Sequence, residues 1–138
     1  MKRTTVILST AVCAAALFVS CRSTREVPSE DANAMEIVQM AQTAYDKGYE
    51  DDAVYYYNEL IMRFGLSSPA TYITGRFEIA HIYLKNKDYE KAAPIYEELI
   101  GIYNTSLPGQ LPGSYKKLVD NDYEKIPAKY KKSAEIEG

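Results

Sequence analysis

Two stretches of the chain repeat one pattern at a fixed interval, and this restricts the fold more than any other feature of its 138 residues. Laying the segment from Ala34 over the segment from Ile73 superposes Ala41 on Ala80 and Ala53 on Ala92. It also superposes Tyr57-Asn-Glu-Leu60-Ile61 on Tyr96-Glu-Glu-Leu99-Ile100, always at an offset of 39 residues. A period of this size marks a supersecondary unit that is stacked on its copy to build a shared core.

Each unit reads as two helices. Ser29 is a candidate cap for the first, with Glu30 and Asp31 favoured in its opening turn by the helix dipole and Gly48 as its stop. The second spans about Asp52 to Phe64 and ends at Gly65. Ser68-Pro69, an N-cap followed by Pro at the first helical position, starts a third that continues to about Lys85. Asp88 is placed to cap a fourth with apolar residues through Ile102 and Tyr103. Pro94 removes one backbone bond inside it and predicts a bend; Gly75 is a milder penalty in the third. After a loop with a doubled Leu-Pro-Gly, residues 107–113, the recurrence of Tyr115, Leu118, Val119, Tyr123, Ile126 and Tyr130 predicts a fifth helix that Pro127 kinks or divides. Lys129 to Lys132 reads as its solvated, dipole-compatible end.

The first 20 residues have a different character. Lys2 and Arg3 precede an apolar run from Val6 to Val19, the arrangement of an export signal and too short to span a bilayer. The run closes on Phe18-Val19-Ser20-Cys21, which resembles the bacterial lipobox, with Phe18 where Leu is usual. The resemblance implies cleavage before Cys21 and a diacylglyceryl thioether on its sulfur; more than one acyl chain is what makes such an anchor stable. Cys13 follows Val12, not a small residue, and lies within the run, so it is the poorer acceptor. Residues 21–31, with Pro28 and mixed charge, read as a flexible tether. The chain thus divides into a leader (1–20), the acylated Cys21 and tether (21–31), a helical repeat region (32–104), a Pro/Gly loop (105–113) and a final helix with a frayed tail (114–138).

Composition narrows the function. Loss of Lys2 and Arg3 with the leader takes the side-chain charge from -3 to about -5. Such a balance disfavours nucleic acid as a partner. No cysteine follows Cys21, which removes disulfides and thiolate metal sites from the folded part. His81 is the only histidine, so His-cluster metal sites are absent and a Ser-His-Asp or Cys-His engine is hard to assemble. The Glu50-Asp51-Asp52 run opens a helix, where the dipole alone favours it, and no calcium-loop spacing surrounds it. The glycines near Leu107 to Gly113 lack the Lys-Ser/Thr ending of a phosphate loop. On a helix the rings of Tyr55, Tyr56 and Tyr57 diverge by about 100°, so they do not form one stacking platform.

The two units resemble tetratricopeptide repeats. Ala41 with Ala53 and Ala80 with Ala92 fill that family's small-residue positions, where paired helices approach closely, and Tyr57 and Tyr96 fill its aromatic position. The second repeat, around Glu78-Ile-Ala-His-Ile-Tyr83, is the more specific match. Departures are Ile37 and Arg76 at an aromatic position, and Gly65 and Asn104 where Pro usually ends a unit. The resemblance implies an all-α helical-hairpin solenoid of two repeats, with the last helix capping its open face.

It further implies an inner face built from Met35, Val38, Gln42 and Tyr45 of the first repeat and Thr74, Phe77, His81 and Leu84 of the second. That face reads either as a seat for a partner's peptide or helix, anchored on Tyr45 and Phe77, or as a surface filled by the chain's own neighbouring helices. Val38, Gln39, Gln42, Phe77, Glu78 and His81 occupy the positions where relatives that clamp acidic chain ends use Lys, Arg and Asn, so that clamp is not expected.

An anchor, a tether and such repeats together resemble the first part of the BamD-type lipoproteins of the outer-membrane β-barrel assembly machinery, which typically have five repeats. The expected protein is a non-enzymatic scaffold without cofactors other than the lipid on Cys21. It binds protein partners on the periplasmic side of an envelope membrane. Arg22 is not the Asp that retains some lipoproteins at the inner membrane, which points to the outer one. A ligand-handling accessory subunit of a transporter and, further off, an envelope hydrolase are the alternatives.

Overall fold

The computed structural model describes residues 25–132, and every regular element among them is helical. Five α-helices, α1 (Ala34–Asp46), α2 (Glu50–Phe64), α3 (Pro69–Lys85), α4 (Tyr89–Thr105) and α5 (Gly113–Glu124), are followed by a short 3-10 turn at Ala128–Tyr130. Successive helices pack on one another, and α5 lies against both α3 and α4, the place a third repeat would take.

The repeat is visible in the backbone. The α1–α2 turn puts Gly48 at φ 78°, and the α3–α4 turn puts Lys87 at φ 61°. Gly48 N–H donates to Tyr45 O at 2.9 Å and Tyr49 N–H to Ala44 O at 2.9 Å; Lys87 donates to Leu84 O at 3.0 Å and Asp88 to Tyr83 O at 2.9 Å. Both helices therefore end in the same left-handed cap, which satisfies their last carbonyls. Ala41, Ala53, Ala80 and Ala92 are fully buried, and Tyr57 and Tyr96 are buried beside them.

Close approach is built between repeats as well as within them. A β-carbon placed on Gly75 would meet Ile61 Cγ1 at 2.6 Å and Cδ1 at 2.9 Å, so α3 crosses α2 closely enough that any side chain here would displace Ile61. The penalty expected for Gly75 as a helix residue is thus offset by tertiary packing.

Several boundaries differ from expectation. The cap of α1 is Asn33, not Ser29: the Asn33 side-chain oxygen accepts from the N–H groups of Met35 and Glu36 at 3.0 and 3.1 Å, while the Glu36 carboxylate accepts from Asn33 N–H at 2.8 Å. This reciprocal capping box satisfies more orphan donors than Ser29 could. Helix α2 starts at Glu50. Ser68 caps α3 as expected, accepting from Thr71 N–H. Asp88 stands at the N-cap of α4 but pairs with Lys91 at 2.6 Å instead of capping the backbone. Helix α4 runs unbroken through Pro94, which sits exposed in its second turn, where the freed carbonyl can be hydrated. Pro127 divides the last segment into α5 and the 3-10 turn.

The tether is the largest correction. Residues 25–31, expected to be flexible, are strapped along α2. Arg25 pairs with Asp52 at 2.6 Å and lies over the Tyr55 ring at 4.5 Å. Tyr56 Oη donates to Glu26 O at 2.7 Å, and Arg63 donates to Ser29 O at 2.7 Å and Pro28 O at 3.3 Å. The strap's carbonyls find donors on α2 that a solvated linker would not need. The leader, Cys21 and the tail beyond residue 132 lie outside the described residues.

Candidate interaction groove

The inner face is shared by α1 and α3, and the structure treats its two halves differently. On α3, Phe77 is buried: its ring meets Tyr115 of α5 edge-on at 5.4 Å and Tyr96 at 6.2 Å, and stacks on His81 at 5.6 Å. Leu84 is buried too, and Thr74 turns its hydroxyl back to Ala70 O. Of the two readings of this face, a partner's seat or a surface filled by the chain's own helices, Phe77 shows the second, because α5 covers it. Its apolar ring is satisfied within the chain, as a solenoid end requires.

The α1 half stays accessible. Gln42 is exposed and Tyr45 half-buried, whereas Val38 packs partly against the core and Met35, 79% exposed, stands at the far start of the helix. Gln42, Tyr45 and His81 are brought together with Asp46, Tyr57, Glu78 and Ile82 around a small pocket of about 90 Å³. A larger, more open one of about 490 Å³ lies on the other side of α1, between it and the strap, with Gln39, Thr43, Lys47 and Tyr56 among its walls.

A polar junction fixes the boundary between the covered and open halves. His81 Nδ1 lies 2.6 Å from Asp122 Oδ2, which also accepts from Tyr96 Oη at 3.1 Å, and Lys125 Nζ donates to Asp122 Oδ1 at 2.6 Å. Asp122 is only 5% exposed. Burial alone would raise its pKa, but these donors outweigh it and hold the carboxyl below its usual value. Glu78 is the opposite case: burial raises its pKa, with the nearby charge of Asp122 adding to the effect and His81 opposing it. Burial also pushes up Tyr57 and Tyr96, so both phenols stay protonated. On the other flank of α5, Tyr123 donates to Glu97 at 2.9 Å, and burial with that carboxylate pushes its pKa up to about 12.

Asp122 was not foreseen as a partner of this face. One signal existed: Val119, Asp122 and Ile126 fall at helical spacing on one stripe, so a carboxylate interrupts an otherwise apolar face. His81 and Asp122 have Tyr96 and Lys125 as their hydrogen-bonding neighbours, without a serine or cysteine among them. The junction is thus equipped to lock α5 in place. Among the described residues no group of His, Cys, Asp and Glu is placed to hold a metal ion, and no helix is long and apolar enough to cross a membrane.

Comparison with known proteins agrees with this architecture. Residues 74–106 match the tetratricopeptide repeat family, which places a repeat of that kind on α3 and α4. An uncharacterized protein of Treponema pallidum (strain Nichols) is 30% identical over 110 residues, covering 78% of this chain and 43% of its own length. The chain thus spans under half the length of that relative. No solved structure matches it. Over its described residues the chain is a helical, tetratricopeptide-like solenoid, and repeats of this kind are protein-interaction modules.

Proposed function

We propose that the protein is a scaffold anchored through acylated Cys21 on the periplasmic side of a bacterial envelope membrane. In this reading it holds a partner protein on the α1 side of its inner face, in the manner of the outer-membrane assembly lipoproteins that its leader and repeats resemble. The observation that carries the binding role is the asymmetry of that face: α5 occupies the Phe77 half, and Gln42, Tyr45 and His81 surround an accessible pocket with room for one incoming side chain. Its walls pair two phenolic rings and Ile82 with Gln42, Asp46, Glu78 and His81, a mixed lining that suits recognition of a polar or basic side chain on a peptide or helix. The lipobox at residues 18–21 supports the anchor, and Arg22 supports the outer membrane.

A photo-cross-linking residue at Gln42, and separately at Tyr45, tests this in intact cells, with Asn58 on the outer surface of α2 as control. Discrete adducts from Gln42 and Tyr45 and none from Asn58 are expected, and a β-barrel assembly component among them would support the narrower role. Equal labelling from all three positions would overturn the groove. Release of a Cys21→Ala variant from the membrane fraction is the matching result for the anchor; retention would overturn it.

A further inference from the structure

The strap fixes which end of the solenoid can approach a membrane. Arg25 is held to Asp52 in the first turn of α2, beside the α1–α2 turn. Asn86 of the α3–α4 turn donates to Glu50, and Tyr89 meets Tyr130 at 5.4 Å, so both turns and the 3-10 segment lie at this same end. Arg25 follows Cys21 by four positions, a reach of at most about 14 Å. A tether free as far as Asn33 would reach about 42 Å and let any face turn toward the bilayer.

The chemistry of this end suits a headgroup layer. Lys47, Lys85, Lys87, Lys91, Lys125 and Lys129 are all exposed here, interspersed with carboxylates. Lys91 lies over Tyr83 and Lys129 over Tyr130, so amphipathic rings and long-stemmed cations alternate.

We propose that the turn end of the hairpins faces the phospholipid headgroups, so that the helices stand on the membrane and the groove opens sideways. This rests on acylation of Cys21. Helix α2, 15 residues long, then places its far end about 22 Å higher than its start.

The test uses the full acylated protein in vesicles of phosphatidylethanolamine and phosphatidylglycerol with a headgroup-linked acceptor dye. A donor is placed on Glu90→Cys at the turn end or on Leu66→Cys at the far end. Energy transfer several-fold higher from position 90 is expected. The triple change Arg25→Ala, Tyr56→Phe and Arg63→Met, which removes the strap's side-chain bonds to α2, should reduce that difference by at least half. Equal transfer from both positions in a protein whose mass shows the acyl chains would overturn the orientation and leave the anchor standing. A mature mass without acyl chains would overturn the anchor, and the orientation with it.

Discussion

His81 Nδ1 and Asp122 Oδ2 stand 2.6 Å apart across 41 residues of sequence and join the second repeat to the helix that caps it. Because Asp122 accepts from His81, Tyr96 and Lys125, its removal leaves several donors without their acceptor at once. Asp122→Ala is expected to cost about 2–3 kcal/mol, read as a lower urea midpoint, and Asp122→Asn less. A His81→Ala/Asp122→Ala cycle should give a coupling energy clearly above zero; additive losses would show that the pair does not secure α5.

Buried Asp122 and half-buried Glu78 give opposite pH dependences. Asp122, with its pKa lowered by folding, contributes stability that is fully present above the usual carboxylate value and lost as pH falls through its folded value. Glu78, with its pKa raised, is a cost at neutral pH that is relieved as pH falls through that raised value. Stability should therefore rise slightly from neutral to weakly acidic pH and fall below the usual carboxylate range. Glu78→Gln should raise stability at pH 7 and abolish the initial rise. Urea midpoints across pH 3 to 7 check both signs.

Gly75→Ala separates local propensity from packing. In an isolated helix alanine is favoured by about 1 kcal/mol. Here the new methyl meets Ile61 within 3 Å, and the expected outcome is a net loss of about 1–2 kcal/mol by denaturation. A stabilised variant would mean that α2 and α3 do not cross so closely.

Lys87 carries the opposite expectation. It occupies the cap position that Gly48 fills one repeat earlier, so Lys87→Gly should stabilise the fold by about 0.5–1 kcal/mol, seen as a higher thermal midpoint. Gly48→Ala, at φ 78°, should destabilise by a similar amount.

What the sequence disclosed tracks the range of the interactions. The start of α3 was legible because Ser68-Pro69 is a local signal with one reading. The start of α1 was not, because Ser29, Glu30 and Asp31 imitate a cap that Asn33 and Glu36 form better. The paired alanines revealed both hairpins, since a tight crossing admits few side chains. The strap stayed hidden: its bonds to Tyr56 and Arg63 are made by carbonyls of Glu26, Pro28 and Ser29, which every residue type has. The closing of the Phe77 half by Tyr115 depends on where α5 comes to rest, which periodicity in α5 alone does not determine.

The covered half of the inner face is tested most directly by nuclear Overhauser contacts in the mature chain. Cross-peaks between the ring protons of Phe77 and Tyr115, whose centroids lie 5.4 Å apart, are expected in the free protein, together with slow amide exchange in α5. A mobile α5 without that contact would leave Phe77 open and contradict the division of the face into a capped half and a binding half.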